Sequence, residues 1–317
     1  MKIGAVTFEG RGGMGREAIR LIPASVRSEL EANIQKGLEI LPTPVDVKKF
    51  ANGETYVNIK GNLRNKDVYL MPVMGRAIND NLMETYLKAD AARRMGANRV
   101  VAVMPNFPYA RQERRTELGE PISARLNLSL LHASGVDEVI TTDIHAAALQ
   151  GFARQMKLTD LNSLEEMTAY FTNKFPEVSN LVVVSPDLGG TKRADKFAKA
   201  LGCDKAIIYK NRVAHNQAKA EMLLGDVEGK DCIIYDDIID TAGTITEAAR
   251  MLKEHGANKI YIAASHGLFN GPALERLQKA PIEEVIVTNS EAKPALDKIK
   301  QVDIAPKIVG TILDISG

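Results

Sequence analysis

The residues best suited to chemistry lie in one stretch, CIIYDDIIDTAGTITEAARML, at positions 232–252. It combines an apolar run typical of a buried strand, a loop of Asp, Thr and Gly, and an amphipathic run typical of a helix. A phosphate group binds well at such a helix start, because free backbone N–H groups and the helix dipole both favour negative charge. Thr241 and Thr244 add hydroxyl donors, and Gly243 allows the backbone to approach the phosphate closely.

Two adjacent carboxylates precede this loop. Asp236 and Asp237 can accept hydrogen bonds from the vicinal hydroxyl groups of a ribose. The alternative is an ordinary helix start beside an acidic loop, but such a cap needs fewer polar residues than this segment contains. The sequence therefore predicts a sugar-phosphate site that consists of Asp236, Asp237, Asp240, Thr241, Ala242, Gly243 and Thr244.

A second group of residues is suited to a nucleotide. In FPYARQERR, Arg111 and Arg114 are fixed positive charges that can bind phosphate oxygens, and Gln112 can bind the edge of an adenine or a ribose. Phe50, in FANGE, can stack on adenine. A solvated basic patch is the alternative for such a charge run. The flanking PNFPY and PIS segments favour a binding loop instead.

Two single residues are candidates for a metal site. His145 follows the apolar run EVITT, and Asp187 follows VVVSP next to a Gly-Gly pair, Lys192 and Arg193. A lone histidine is more often structural, and magnesium prefers oxygen ligands, so the residue type alone leaves the role of His145 open. Asp187 has the ligand chemistry that a magnesium ion needs in a phosphate-rich pocket.

Lys210 and Arg212, in AIIYKNR, are candidates for catalysis. Phosphoryl transfer needs in-line positioning and positive charge on the developing oxygens, and two long cationic side chains on a loop can supply that charge. The alternative is an ordinary basic pair on an edge strand.

The elements that position these residues follow a repeated pattern. Apolar runs such as DVYLMPV, RVVAVMPNF, NLVVVSPD and KIYIAASHG alternate with amphipathic stretches such as NDNLMETYLKADAARRMG. This alternation predicts an α/β fold with parallel sheets covered by helices, which bind ligands at the carboxyl ends of their strands. The 317 residues predict two domains, 1–155 and 156–300, with a terminal segment, 301–317, that can return to the first.

Composition excludes several classes of protein. The 41 basic and 40 acidic residues give a net charge of +1, without the basic excess typical of nucleic-acid binding. The two cysteines form no CxxC pair, which argues against a disulfide framework or a structural zinc site. No apolar run reaches the length of about 18 residues expected of a membrane span. We therefore expect a cytoplasmic protein with no membrane or nucleic-acid partner.

Taken together, these segments resemble the ribose-phosphate diphosphokinase family, the phosphoribosyl diphosphate (PRPP) synthetases, from about residue 45 onward. DDIIDTAGT resembles the PRPP-binding loop that this family shares with phosphoribosyltransferases. FANGE, NDNLME, FPYARQERR, PISAR, TTDIHAAALQGF and SPDLGGT resemble segments found in the synthetases. The resemblance implies two phosphoribosyltransferase-type domains, each a mostly parallel sheet flanked by helices.

The resemblance also implies residue roles and a reaction. The reaction is transfer of the β,γ-diphosphate of Mg-ATP to the 1-hydroxyl of ribose 5-phosphate, a step of nucleotide biosynthesis that gives PRPP and AMP. It would require a homo-oligomer, a dimer or a hexamer of dimers, because one loop reaches the ATP of a neighbouring subunit. The implied roles are ATP binding by Phe50, Asn52, Glu54, Arg111, Gln112 and Arg114, Mg²⁺ binding by His145 and Asp187, and catalysis by Lys210 and Arg212.

Three segments depart from the family pattern: GRGGMG at 10–15, TELGE at 116–120 and LTDLNSL at 158–164. The first and third leave ADP-ribose open as an alternative acceptor. A phosphoribosyltransferase would share DDIIDTAGT but has no need for ARQERR, DIH and YKNR together. A non-catalytic synthetase-associated subunit would lose catalytic positions, whereas Lys210, Arg212 and His145 are present.

Overall fold

A computed structural model describes residues 16–72, 75, 77–175, 177–211 and 220–317. The GRGGMG segment lies outside these residues. The chain divides into two compact units, the first ending at Leu161 and taking in Ala305–Gly317, the second covering Asn162–Ile304. Within the described ranges, no helix combines the length and the apolar character needed to cross a bilayer.

Over the residues that the structure describes, the first unit contains a parallel sheet of five strands and a separate hairpin. The sheet has the order β1-β4-β5-β6-β7, and β2 pairs with β3 in the hairpin. Its strands are β1 (Ile19–Ile22), β2 (Val45–Lys49), β3 (Thr55–Ile59), β4 (Asp67–Leu70), β5 (Arg99–Val103), β6 (Glu138–Thr142) and β7 (Lys157–Leu161). Its helices are α1 (Glu29–Leu38), α2 (Ile78–Arg94), α3 (Ser123–Ala133), α4 (Ala148–Phe152) and, at the end of the chain, α9 (Ala305–Ser316).

Helix α9 packs on the first unit. A Cβ atom at Gly37 of α1 would lie 2.8 Å from Cγ2 of Val309, so glycine is what lets the two helices approach. The buried Tyr69 hydroxyl donates to the carbonyl of Ile312 (3.2 Å), and Arg99 donates to the carbonyl of Ile315 (2.7 Å). The carbonyl of Ile315 lies in the last turn and has no partner within the helix, so the bond from Arg99 satisfies it.

In the described part of the second unit, a sheet of seven strands has the order β10-β9-β8-β11-β12-β13-β14, and among its described pairs only β9–β10 is antiparallel. The strands are β8 (Leu181–Ser185), β9 (Asp204–Asn211), β10 (Ala220–Leu224), β11 (Asp231–Ile239), β12 (Ile260–Gly267), β13 (Glu284–Thr288) and β14 (Ile299–Val302). The helices are α5 (Leu164–Lys174), α6 (Thr191–Leu201), α7 (Gly243–Glu254) and α8 (Ala273–Lys279).

Alternate residues of the central strands enter two separate cores. Cys232 and Ile234 of β11 belong to one apolar cluster, and Ile233 and Tyr235 belong to the other. Both faces of the sheet are therefore covered, which explains why these strands are continuous apolar runs. After the apolar run Cys232–Tyr235, two aspartates, Asp236 and Asp237, lie toward the carboxyl end of β11, where a parallel sheet binds ligands.

The predicted α/β class, with mostly parallel sheets flanked by helices, is confirmed. The first unit extends beyond residue 155, where the sequence placed the domain boundary. The strand β7 follows that position and pairs with β6 in the first sheet.

Candidate functional site

The loop between β11 and α7 provides an open helix start in the second unit. Ala242, the residue before the helix, has a left-handed backbone (φ 58°), and its side chain cannot cap the helix. Thr241 and Thr244 are exposed. The amides of the first turn of α7 and these two hydroxyls form the kind of site that binds a phosphate.

Two residues that come later in the chain, Asn270 and Arg276, hold this loop in place. Asn270 donates its backbone N–H to the carbonyl of Asp240 (2.9 Å) and its side-chain amide to the Asp240 carboxylate (3.0 Å). Arg276 of α8 donates to the carbonyl of Thr241 (2.9 Å). Asp240, predicted from the sequence as part of the sugar-phosphate site, thus has one carboxylate oxygen engaged in fixing the loop.

Asp236 and Asp237 share one cation. Nη1 of Arg193 lies 3.1 Å from Oδ1 of Asp236 and 3.2 Å from Oδ1 of Asp237. Burial, and then the negative charge of Asp237, raise the pKa of Asp236 well above its usual range, while the Arg193 charge acts in the opposite direction. The pair therefore offers oxygen atoms to a sugar, and the carboxyl group of Asp236 keeps its proton up to nearly neutral pH.

Asp187 lies after β8, the strand next to β11. One of its carboxylate oxygens accepts a bond from the amide of Gly190 (3.0 Å), and its carbonyl accepts a bond from the Ser185 hydroxyl (2.7 Å). A Cβ atom at Gly190 would lie 2.9 Å from the Ser185 hydroxyl oxygen, so the turn requires glycine there. Asp187 is half-buried and follows a strand that ends at the same sheet edge as Asp236.

In the first unit, three of the predicted nucleotide residues, Arg111, Gln112 and Arg114, line one cavity with His145, the predicted metal-associated histidine. The cavity has a volume of about 340 Å³. It contains both signs of charge, since Arg114 pairs with Glu113 at 3.5 Å. The residues lining it are Arg111, Gln112, Glu113, Arg114, Thr116, Glu120, Pro121 and His145.

Three contacts position the nucleotide loop. The carbonyl of Pro108 accepts a bond from the Asn127 side chain (3.1 Å), the Tyr109 hydroxyl donates to Asn79, and the Gln112 side chain accepts a bond from the Ser123 hydroxyl (2.6 Å). Asn127 is 3% exposed and also accepts a bond from the Tyr86 hydroxyl (2.7 Å). Helices α2 and α3 therefore both hold this loop.

The segment TELGE, which departs from the family pattern, forms internal hydrogen bonds at the edge of the same cavity. The Glu120 carboxylate accepts bonds from the amide and hydroxyl of Thr116 (2.6 and 2.9 Å) and from the amide of Glu117 (3.0 Å). The bonds from these two backbone amides hold the pKa of Glu120 below its usual value. The cavity therefore keeps a negative charge beside Arg111 and Arg114.

Phe50, Asn52 and Glu54 form the tip of the β2–β3 hairpin and are not among the described residues that line this cavity. The Phe50 amide donates to the carbonyl of Glu54 (2.8 Å), and the Asn52 side chain accepts a bond from the Glu54 amide (3.1 Å). The Phe50 ring is packed edge-on against Tyr56 and Phe50 remains 55% exposed. The structure thus leaves an aromatic residue available at the tip of a rigid turn.

The two candidate catalytic residues are Lys210 and Arg212. The backbone of Lys210 belongs to β9, opposite Glu221 of β10. Its side chain, and the whole of Arg212, lie outside the described residues.

The two candidate metal ligands, His145 and Asp187, belong to different units. Among the described residues, no group of three or more His, Cys, Asp or Glu side chains could hold a metal ion. Magnesium is commonly bound through one or two carboxylates together with substrate phosphates and water. The half-buried carboxylate of Asp187 fits that mode, in which most ligands arrive with the substrate.

Four residues that shape these sites had no predicted role: Arg193, Asn270, Arg276 and Asn127. Each acts on a loop that is distant in the sequence, so no local pattern could identify its partner. The KR pair after SPDLGGT was a weak signal for Arg193, since it lies on the helix after β8. A parallel sheet that places β8 beside β11 brings this helix near Asp236 and Asp237.

Family models match both parts of the chain. Residues 19–135 match the N-terminal domain of ribose phosphate pyrophosphokinase, and residues 212–316 match the phosphoribosyl synthetase-associated domain. The first match begins at residue 19, so the family likeness starts earlier than the motifs from residue 45 indicated.

Curated relatives and a crystal structure agree with these matches. The chain is 41% identical over 263 residues to a ribose-phosphate pyrophosphokinase of Clostridium acetobutylicum, covering 82% of each chain. It is 40% identical to that of Clostridium perfringens, covering 93% of each. Its structure is similar to a crystal structure of phosphoribosylpyrophosphate synthetase from Mycobacterium smegmatis, with a TM-score of 0.88, 34% identity, and coverage of 94% of this chain and 98% of the other. The chain therefore belongs to the ribose-phosphate pyrophosphokinase family and is a diphosphotransferase.

Proposed function

We propose that this enzyme transfers the β,γ-diphosphate of Mg-ATP to the 1-hydroxyl of ribose 5-phosphate, giving PRPP and AMP. The observation that carries the proposal is the end of β11, where a carboxylate pair precedes an open helix start. Carboxylate oxygens that can accept hydrogen bonds from sugar hydroxyls lie a few residues from N–H and O–H groups that can donate hydrogen bonds to a phosphate. A sugar phosphate needs both.

The acceptor would bind in the second unit. Thr241, Gly243, Thr244 and the first amides of α7 would hold the 5-phosphate, and Asp236 and Asp237 would accept hydrogen bonds from the ribose hydroxyls. The Asp240 carboxylate accepts a hydrogen bond from the Asn270 side chain. We therefore propose that Asp240 fixes the loop through Asn270 and does not contact the sugar phosphate.

The nucleotide would bind at the cavity of the first unit. Arg111 and Arg114 would bind its phosphates and Gln112 its ribose or adenine. Phe50, Asn52 and Glu54, at an exposed hairpin tip, would contribute to the site of a neighbouring subunit, as the family resemblance implies. This role requires at least a dimer, and a hexamer built from dimers is compatible with it.

His145 of the first unit and Asp187 of the second unit are our candidates for holding magnesium, each in its own unit. When bound, Mg²⁺ neutralises phosphate charge and makes the β-phosphorus easier to attack. Asp187 supplies a carboxylate of the type that this ion prefers, and His145 lines the cavity that contains the arginines.

In the reaction, the O1 atom of ribose 5-phosphate forms a bond to the β-phosphorus of ATP, and the bond from that phosphorus to the oxygen bridging the α-phosphate breaks. AMP leaves with the electron pair, and the hydroxyl proton is released. Lys210 and Arg212 would stabilise charge on the transferring group, so no covalent enzyme intermediate is needed.

Incubation of the purified full-length protein with Mg-ATP and ribose 5-phosphate, followed by measurement of AMP release, tests this proposal. AMP formed in proportion to the new 1-diphosphate is the expected result. The matched reaction with ADP-ribose tests the alternative acceptor, which the departures at 10–15 and 158–164 leave open. Activity with ADP-ribose alone would overturn our assignment of the acceptor and keep the mechanism.

Two other functions have separate tests. A phosphoribosyltransferase would consume PRPP in the presence of a base. A non-catalytic associated subunit would be folded but would release no AMP with either ribose 5-phosphate or ADP-ribose. Arg111, His145 and Lys210 have no evident purpose in either protein. The predicted cytoplasmic location stays a prediction.

A further inference from the structure

We propose that Arg276 of α8 is a further residue of the sugar-phosphate site, where it orients the loop 240–243 and binds the 5-phosphate through its guanidinium group. The inference rests on the proposed function. It adds a cation to a site that otherwise binds phosphate through backbone amides and hydroxyl groups.

The first observation is the bond from Nη1 of Arg276 to the carbonyl of Thr241, 2.9 Å long. This carbonyl immediately precedes Ala242, where the backbone turns through a left-handed conformation into α7. A carbonyl oxygen directed at a phosphate would repel it. The bond to Arg276 engages that oxygen with a donor and so favours a loop in which amides, and not carbonyls, face the anion.

The second observation is the distance of the same nitrogen from the helix start. A Cβ atom at Gly243 would lie 3.2 Å from Nη1 of Arg276. The guanidinium therefore lies beside the first residue of α7, where the helix dipole also favours an anion. Glycine at 243 leaves the space between this backbone and the cation open.

The third observation is that the positive charge of Arg276 is available. Among the described residues, no carboxylate forms an ion pair with Arg276. The adjacent Glu275 is paired with Lys279 at 2.6 Å. A guanidinium carries five N–H donors, and the bond to Thr241 uses one of them. The remaining donors can bind phosphate oxygens in pairs, which a lysine cannot do with the same geometry.

The helix that carries Arg276 is anchored to the protein core. Ala273 and Leu277 of α8 are fully buried in the apolar cluster beneath α7. Arg276 itself is exposed. Its side chain therefore extends from a fixed helix, so the cation is positioned before the sugar phosphate binds.

Three variants test the proposal: Arg276→Gln, Arg276→Lys and the control Arg250→Gln, which removes an exposed positive charge from α7. We would measure the binding of ribose 5-phosphate by calorimetry and the KM of each substrate. Loss of a charge-assisted bond to phosphate corresponds to roughly 10- to 100-fold weaker binding. We expect this loss of ribose 5-phosphate affinity in Arg276→Gln, an intermediate loss in Arg276→Lys, and less than about a twofold change in the KM of ATP.

Several outcomes decide the matter. The inference is overturned if Arg276→Gln binds ribose 5-phosphate as the unaltered protein does, or if Arg250→Gln weakens binding equally. It is also overturned if Arg276→Gln loses affinity for both substrates together with thermal stability, because the residue would then be structural. If the unaltered protein forms no product but still binds ribose 5-phosphate through Arg276, the anion site stands and the proposed function fails.

Discussion

Replacement of Arg193 by methionine perturbs the carboxylate pair without altering either carboxylate. Nη1 of Arg193 contacts Asp236 at 3.1 Å and Asp237 at 3.2 Å, and the Arg193 side chain is 28% exposed. Asp237 is nearly buried, with 6% of its side chain exposed. In the variant, the two adjacent carboxyl groups would remain with no cation from residue 193.

The magnitude follows from these contacts. A hydrogen bond to a charged group contributes about 1.5–3 kcal/mol, and breaking a buried ion pair costs about 3–5 kcal/mol. Because water reaches Arg193 in part, we expect a loss of about 2–4 kcal/mol in the free energy of unfolding at pH 8.

The loss depends on pH in a defined direction. Burial and Asp237 raise the pKa of Asp236, and Arg193 lowers it, so removing Arg193 raises this pKa further. An unfolded aspartic acid titrates near pH 3.9, so between that value and the raised pKa the folded protein binds more protons than the unfolded chain. Stability therefore falls as pH rises through this window, and more steeply in the variant. We expect the loss at pH 5.5 to be about half of that at pH 8 or less.

Urea unfolding at both pH values measures this loss, and hydrogen exchange in residues 231–239 assigns it to the second unit. Lys192→Met is the matched control, because Lys192 is the exposed neighbour of Arg193 on α6. A surface substitution of this kind is expected to change stability by no more than about 0.5 kcal/mol. A loss in Arg193→Met that is independent of pH, or no larger than that of the control, would refute the reasoning.

Two further predictions concern the nucleotide loop and catalysis. In Asn127→Leu, the Tyr86 hydroxyl and the Pro108 carbonyl lose their partner, so we expect a loss of about 2–4 kcal/mol of stability and a higher KM for ATP but not for ribose 5-phosphate. Thermal unfolding and steady-state kinetics, with Ser129→Ala as the control variant, test this prediction. An unchanged KM for ATP would contradict the role of Asn127 in positioning the nucleotide loop. In Lys210→Ala we expect turnover to fall by at least about 100-fold while ATP binding stays nearly unchanged, since the proposed contact forms mainly in the transition state. Single-turnover kinetics and equilibrium ATP binding separate the two effects, and an equal loss in both would remove Lys210 from the catalytic role.

The sequence predicted the fold class because its pattern is local. Apolar runs such as NLVVVSPD report burial on both faces of a sheet, and both faces of β8 and β11 are covered by apolar clusters. The polar residues that follow such runs lie at strand ends, as at Asp187 and Asp236. Hydrophobic periodicity and the direction of parallel strands are sufficient to predict the fold class and the position of these polar residues at strand ends.

The contacts that shape the site could not be predicted in the same way. Arg193 meets Asp236 only because β8 and β11 are neighbours in the sheet, although they are separated along the chain by β9 and β10. The bond from Asn270 to Asp240 likewise depends on the register of β11 with β12, which places Ile239 opposite Gly267. Such pairings arise from sheet order and register, which single-sequence patterns do not specify.

The central claim is that an intact diphosphate moves to the 1-hydroxyl of ribose 5-phosphate. Phosphorus NMR of the full-length protein with Mg-ATP and ribose 5-phosphate tests it most directly, because the spectrum identifies which phosphorus atoms leave the nucleotide. We expect AMP and a ribose 5-phosphate that carries two coupled phosphorus atoms at C1, in equal amounts. Formation of ADP with a singly phosphorylated C1, or of ADP with free phosphate, would contradict it.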